Sequence, residues 1–157
     1  MKIFLLACGL AFAPLAADAA GFAVLDRDTA RRLADPANYR APAVVALWST
    51  ECAYCKKNLT LLGALSRQAK PLKVVTVATE PELPESGPIL DSYRVRGPRY
   101  AYGNDAPEAL AYALDPAWQG ELPRTLIFDG RGGRTVVSGV LDRAALEQVL
   151  ARSAPKP

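Results

Sequence analysis

Hydrophobic positions along the chain fall into short unbroken runs, which read as buried strands, and into three- and four-residue steps, which read as helix faces. The run Val44-Val45-Ala46-Leu47-Trp48, within residues 43–48, is the first predicted strand, preceded by a lead-in over residues 20–41. In the lead-in, residues 28–34 form a candidate short helix stopped by Asp35-Pro36. A longer helix is predicted from near Cys52 to about Gln68, with Leu59, Leu62, Leu65 and Ala69 on its inner stripe and Pro71 ending it. Leu72 to Ala78 is β-rich and gives a second buried strand.

Beyond that strand, residues 80–87 read as a loop, because Pro81, Pro84 and Pro88 lie in or beside them. A short helix is expected over residues 89–94. Residues 97–105 look turn-rich, with Gly97-Pro98 at one end and Gly103-Asn104-Asp105 at the other. Residues 106–113 read as a helix with Asp105 as a candidate N-cap. Thr125 to Phe128 and Thr135 to Ser138 are strands around the turn Asp129 to Gly133, which makes a hairpin. Residues 141–151 form a terminal amphipathic helix with Leu146, Val149 and Leu150 inward and Asp142 as cap. The order β-α-β-α-β-β-α defines an α/β protein, helices packed on a sheet.

The beginning of the chain changes the picture. Met1-Lys2 is followed by the apolar run Ile3 to Leu15 and by Ala17-Asp18-Ala19, a small-residue cleavage site. This is the pattern of a signal peptide, with an apolar core too short to cross a bilayer comfortably. Cleavage after Ala19 is expected, leaving one domain over residues 20–157; an uncleaved anchor is the alternative, and Cys8 gives a faint lipoprotein signal. Removal of residues 1–19 takes away Lys2 and Asp18, so the net charge stays at +3. So small and dispersed a bias points to no nucleic-acid partner.

Two cysteines then remain, Cys52 and Cys55, spaced C-x-x-C where the first strand turns into the long helix. There the helix N-terminus presents unpaired N–H groups and the positive end of its dipole, which favour a thiolate on the first sulfur. The second sulfur can then attack a mixed disulfide formed by the first. A zinc site would need two more ligands, and the chain has no His and no second cysteine pair. A c-type haem attachment needs His after the second cysteine, where Lys56 stands. A purely structural disulfide closing so small a loop would constrain the unfolded chain little. Thiol–disulfide chemistry is therefore the expected function, with metal and cofactor absent.

On these residues the chain resembles the thioredoxin superfamily, and within it the exported TlpA/ResA-type thiol–disulfide oxidoreductases. The matching segments are Leu47-Trp48-Ser49-Thr50-Glu51-Cys52-Ala53-Tyr54-Cys55-Lys56 and Gly120-Glu121-Leu122-Pro123-Arg124-Thr125-Leu126-Ile127-Phe128-Asp129, within a likeness spanning residues 42–152. The resemblance implies a thioredoxin-like fold with a central mixed sheet flanked by helices. It also implies a cis-proline at Pro123 facing the cysteine pair, which exposes the backbone of Leu122 to a bound peptide. It further implies periplasmic location, disulfide-bonded protein substrates and a membrane electron donor that reduces the pair again.

The chain departs from the family in three places. Glu51 stands where Trp often precedes the first cysteine, and its carboxylate opposes the thiolate that Lys56, Lys57 and the helix dipole favour. Ala46 stands where many thioredoxins bury an acid. That makes Glu80 the candidate proton relay, with a solvated loop carboxylate as its alternative reading. The Ala53-Tyr54 dipeptide lacks the usual proline.

Cys52 is thus expected as nucleophile and Cys55 as resolving cysteine. Trp48 is expected as core or wall of the site, and Tyr54 as an exposed recognition residue. Tyr93, Tyr100, Tyr102 and Tyr112 are expected to serve packing. A disulfide-donating oxidase or isomerase on the same fold stays open, as does a thiol chaperone or metallochaperone. An isomerase usually gains from a dimerisation domain, for which there is no room, and the chain is expected to be a monomer.

Overall fold

The computed structural model describes residues 21–68 and 72–151. The proposed signal peptide, Cys8, Ala69 and Pro71 lie outside the described residues. Twelve short elements follow one another. Strand β1 (Ala23–Leu25) leads into helix α1 (Arg27–Ala34), a single 3-10 turn (Pro36–Asn38), strand β2 (Ala43–Trp48) and helix α2 (Ala53–Leu65). Strand β3 (Lys73–Ala78), helix α3 (Ser86–Ser92) and strand β4 (Arg99–Tyr102) come next. Helix α4 (Pro107–Leu114), the hairpin β5 (Arg124–Phe128) and β6 (Arg134–Ser138), and helix α5 (Arg143–Ala151) complete the order.

The strands make one six-stranded sheet in the order β1-β4-β3-β2-β5-β6. β1, β4, β3 and β2 run parallel, whereas β5 is antiparallel to both β2 and β6. This is a mixed sheet, and β2 lies inside it with every residue buried. A strand covered on both faces reads as continuous apolar sequence, as residues 43–48 do. Val44, Ala46 and Trp48 face a core built with Leu59, Leu62 and Leu65 of α2, Leu90 of α3 and Leu146 of α5. Ala43, Val45 and Leu47 face the other core, with Ala30 of α1 and Leu110 and Leu114 of α4.

Several expectations need correction. The turn-rich stretch contains β4, and the lead-in contains β1, which pair with each other in parallel. Both are too short to announce themselves between their glycines and prolines. The expected helix over 89–94 begins earlier, at Ser86, and the expected loop ends there. Pro88 falls in its first turn, where a missing N–H costs no helical bond. α2 ends at Leu65 rather than near Gln68, its last carbonyls closed by Ser66, whose N–H donates to the Leu62 carbonyl at 2.8 Å.

Asp105 does not cap α4. Ala106 holds that position, and Asp105 accepts instead from the Arg27 N–H at 2.8 Å, tying α1 to the α4 entry. The Asp142 cap is observed, with Ala145 N–H donating to Oδ1 at 2.8 Å. Tyr102 is buried, but Tyr112 is largely exposed and packs little. In α2, Gly63 marks a close approach: a Cβ built there would stand 2.1 Å from the carbonyl oxygen of Tyr93. Among the described residues no helix is long and apolar enough to cross a membrane.

Candidate active site

The cysteine pair sits where β2 ends. A parallel strand buried in the sheet must leave it at its C-terminal edge, and that edge is where open α/β sheets place their sites. The chain leaves at Trp48, whose carbonyl accepts from Thr79 N–H at 2.9 Å. Four residues later Cys52 caps α2: its sulfur lies 3.1 Å from the Cys55 N–H that points at it. The cap therefore aims a backbone donor at the outer sulfur and sets the helix dipole behind it, both of which favour negative charge there.

Cys52 and Cys55 are joined by a disulfide with their Cα atoms 5.2 Å apart. The two sulfurs are not equivalent. Cys52 is half-buried at the surface, whereas Cys55 is 1 % exposed within the α2-facing core. Helix geometry produces this difference, because the cap residue stands off the helix while the third residue of the first turn points to the sheet.

Leu122–Pro123 is a cis peptide bond. Arg124 is paired with Leu47 in the sheet register, so Pro123, one residue earlier, lies at the same edge as Trp48 and the cysteine loop. Residues 121–123 form a strap whose flanks are fixed. Pro123 C=O accepts from Gly139 N–H at 2.8 Å, and Glu121 C=O accepts from the Trp118 indole N–H at 2.7 Å. The Glu121 carboxylate accepts from Arg124 and from the Ser138 hydroxyl, each at 2.6 Å, and the Ser138 bond helps hold its pKa below the usual carboxylate range. The Arg124 guanidinium also donates to Asp115, 4 % exposed, and to Ser138. Leu122 is left half-buried between two fixed neighbours.

The other expected residues take distinct places. Trp48 is 1 % exposed and lies beneath the cysteine loop as core. Tyr54 is 61 % exposed, with the Lys57 ammonium 5.2 Å from its ring centre, so it stands at the surface beside the pair. Glu80 is half-buried, and its Oε1 accepts from Thr50 N–H at 2.7 Å. Asn58, absent from the sequence expectations, is buried in α2 and bonds the backbone on both sides of Val140. Its signal was present, since a polar residue sits three positions after Cys55 and four before Leu62, on the inner stripe. Among the described residues no group of three His, Cys, Asp or Glu side chains is placed to hold a metal ion.

The sheet order, the cysteine turn at the end of an interior strand and the cis-proline beside it define a thioredoxin-like fold. Solved structures agree. A secreted Mycobacterium tuberculosis disulfide oxidoreductase homologous to E. coli DsbE superposes with a TM-score of 0.58 at 18% identity, covering 73% of this chain and 83% of that one. A thiol-disulfide isomerase from Corynebacterium glutamicum gives 0.60 at 15% identity, over 76% and 84%. A thioredoxin-related protein from Neisseria meningitidis serogroup B gives 0.54 at 22% identity, over 71% and 84%. No protein-family model matches the chain, and no curated protein matches it in sequence.

Proposed function

We propose that this protein is an exported thiol–disulfide oxidoreductase that reduces disulfides in protein substrates through Cys52 and Cys55. The observation that carries the reading is the unequal burial of two bonded sulfurs at a helix N-terminus beside a cis-proline strap. The outer sulfur can meet a protein disulfide; the inner one can reach only its partner. The likeness to a secreted disulfide oxidoreductase supports the same class.

In the forward direction the Cys52 thiolate attacks one sulfur of the substrate disulfide. The S–S bond of the substrate breaks, and the departing sulfur leaves as a thiolate and takes up a proton. Cys55 then loses its proton and attacks Cys52 Sγ. The mixed disulfide breaks, the Cys52–Cys55 bond closes, and the second substrate sulfur leaves as a thiol. Two electrons and two protons pass from the dithiol to the substrate. A membrane thiol donor returns the pair to the dithiol, and no bound cofactor takes part.

The leading segment of the chain, through Ala19, is proposed to direct export and to be removed. The mass of the mature chain recovered from the periplasm would test this, and a chain still beginning at Met1 would contradict it. Leu122 and Pro123 are proposed to hold substrate backbone beside Cys52, and Tyr54 to contact its side chains. Glu80 is proposed to hold the cysteine loop; proton relay is the rival role.

Insulin reduction tests the class: Cys52→Ser should abolish it, and full retention of activity would overturn the assignment. The equilibrium potential of the pair tests the direction. A value near about −250 mV or below fits a reductant, whereas one near about −120 mV marks a disulfide donor. The donor reading is kept because the same pair on the same fold can run either way, the direction being set by its potential.

A further inference from the structure

Asn58 lies on α2 one turn after Cys55 and is 3 % exposed. A buried amide costs free energy unless its hydrogen bonds are made. Here both ends are used, and both go to one loop. Nδ2 donates to the Gly139 carbonyl at 3.2 Å, and Oδ1 accepts from Leu141 N–H at 2.8 Å. Gly139 in turn donates its N–H to the Pro123 carbonyl at 2.8 Å. Gly139 has φ +92°, a conformation that favours glycine, and a Cβ there would meet nothing within 4 Å. Its place is therefore set by backbone conformation, which lets adjacent peptide groups turn one toward the strap and the other toward α2.

These bonds form a continuous path from the helix that carries both sulfurs, through one side chain and one glycine, to the cis-proline. The rest of the strap's fastening comes through Arg124, Glu121, Trp118 and Ser138. We propose that Asn58 is a positioning residue, which sets the strap of residues 121–123 at the height where a peptide backbone lying on Leu122 brings its disulfide to Cys52. Asn58 touches neither substrate nor sulfur in this scheme; it acts through Gly139. The proposal rests on the redox reading above and adds to it a residue that governs peptide substrates in particular.

The test compares two substrates with the purified protein, dithiothreitol regenerating the dithiol. Hydroxyethyl disulfide has no backbone to lay on the strap; a peptide with one intramolecular disulfide has. Asn58→Leu keeps the side-chain size and removes both bonds. It should lower kcat/KM for the peptide about tenfold, mainly through KM, as expected for lost positioning bonds. The rate with hydroxyethyl disulfide and the potential of the pair should stay within about twofold of wild type, because no group at the sulfurs has changed.

If Asn58→Leu fails to fold, Asn58→Ser replaces it. Its neutral hydroxyl is too short to bridge Gly139 and Leu141 and adds no charge near the sulfurs, and it should show the same loss confined to the peptide. Parallel losses on both substrates, or no loss on either, would overturn the role of Asn58. A wild-type protein inert toward both disulfides would instead overturn the redox reading.

Discussion

Thr50 N–H donates to Oε1 of Glu80 at 2.7 Å, linking the cysteine loop to the end of β3 across 30 residues of chain. Glu80 is itself pinned, since its carbonyl accepts from Tyr102 N–H at 3.0 Å. Thr50 is buried and stands two residues before Cys52, so the carboxylate fixes the approach to the outer sulfur. Glu80→Ala leaves the Thr50 N–H unpaired and should cost about 1–2 kcal/mol in urea unfolding. Glu80→Gln keeps an acceptor and loses the ionisable group. It should retain both stability and the rate at which the Cys52–Cys55 bond closes. A slower closure with unchanged stability would assign Glu80 the proton-relay role instead.

The unequal burial of the two sulfurs predicts which intermediate can be trapped. Cys55→Ser should accumulate a mixed disulfide between Cys52 and a peptide substrate, stable enough to be seen as an adduct mass. Cys52→Ser should form none, because the remaining sulfur is shut in the core. An adduct on Cys55 in that variant would show that the inner sulfur is reachable and would reverse the assigned roles.

Arg124 follows the cis-proline and is 11 % exposed at its side chain, facing an Asp115 side chain that is 4 % exposed. Arg134 also reaches Asp115, at 3.5 Å. Removing Arg124 takes the nearer partner from the buried Asp115 carboxylate and leaves it the longer contact to Arg134. Arg124→Met should therefore lower stability by about 3 kcal/mol. The double variant Arg124→Met, Asp115→Asn should lose less than the sum of the single losses, since each single change already removes the shared contact. Additive losses in denaturant titrations would mean that the pair is not coupled.

Two buried phenols predict behaviour in alkali. Burial pushes the pKa of Tyr39 and that of Tyr102 up to about 12 from the usual 10. In each case the neutral form is favoured in the folded state. The stability they contribute is complete below pH 10 and is lost as pH rises from 10 toward 12. Urea midpoints should fall across that window, and less steeply once both are replaced by Phe. The two differ at neutral pH. The Tyr39 hydroxyl donates to the Leu33 carbonyl at 2.8 Å, so Tyr39→Phe should cost about 1 kcal/mol. The Tyr102 hydroxyl has no partner, so Tyr102→Phe should be neutral or stabilising.

Much of this architecture is local and could be read directly. β2 is a continuous apolar run and β3 is nearly one because their residues are covered on both faces, all but Lys73, and α2 shows its inward stripe because Leu59, Leu62 and Leu65 meet one core. The β5–β6 hairpin declares itself through its Asp-Gly turn. The cysteine spacing, the strand before it and the helix after it form one contiguous segment, so the cysteine turn was legible as a candidate site. Pro123 could be placed only through the resemblance, since composition alone does not favour the cis form. β4 and β1 escaped notice because strands of three or four residues take their conformation from the neighbours they pair with.

The sequence by itself determined the order of the main elements and the pair of sulfurs at the helix end, because each depends on residues within a few positions of one another. Tertiary structure alone decided what surrounds those sulfurs. It buried Cys55 and left Cys52 at the surface, turned Glu80 onto Thr50, and closed Asn58 on a loop 81–83 residues away. Such partners are chosen when packing brings distant backbone within about 3 Å of a side chain, and no periodicity along the chain records which carbonyl will arrive.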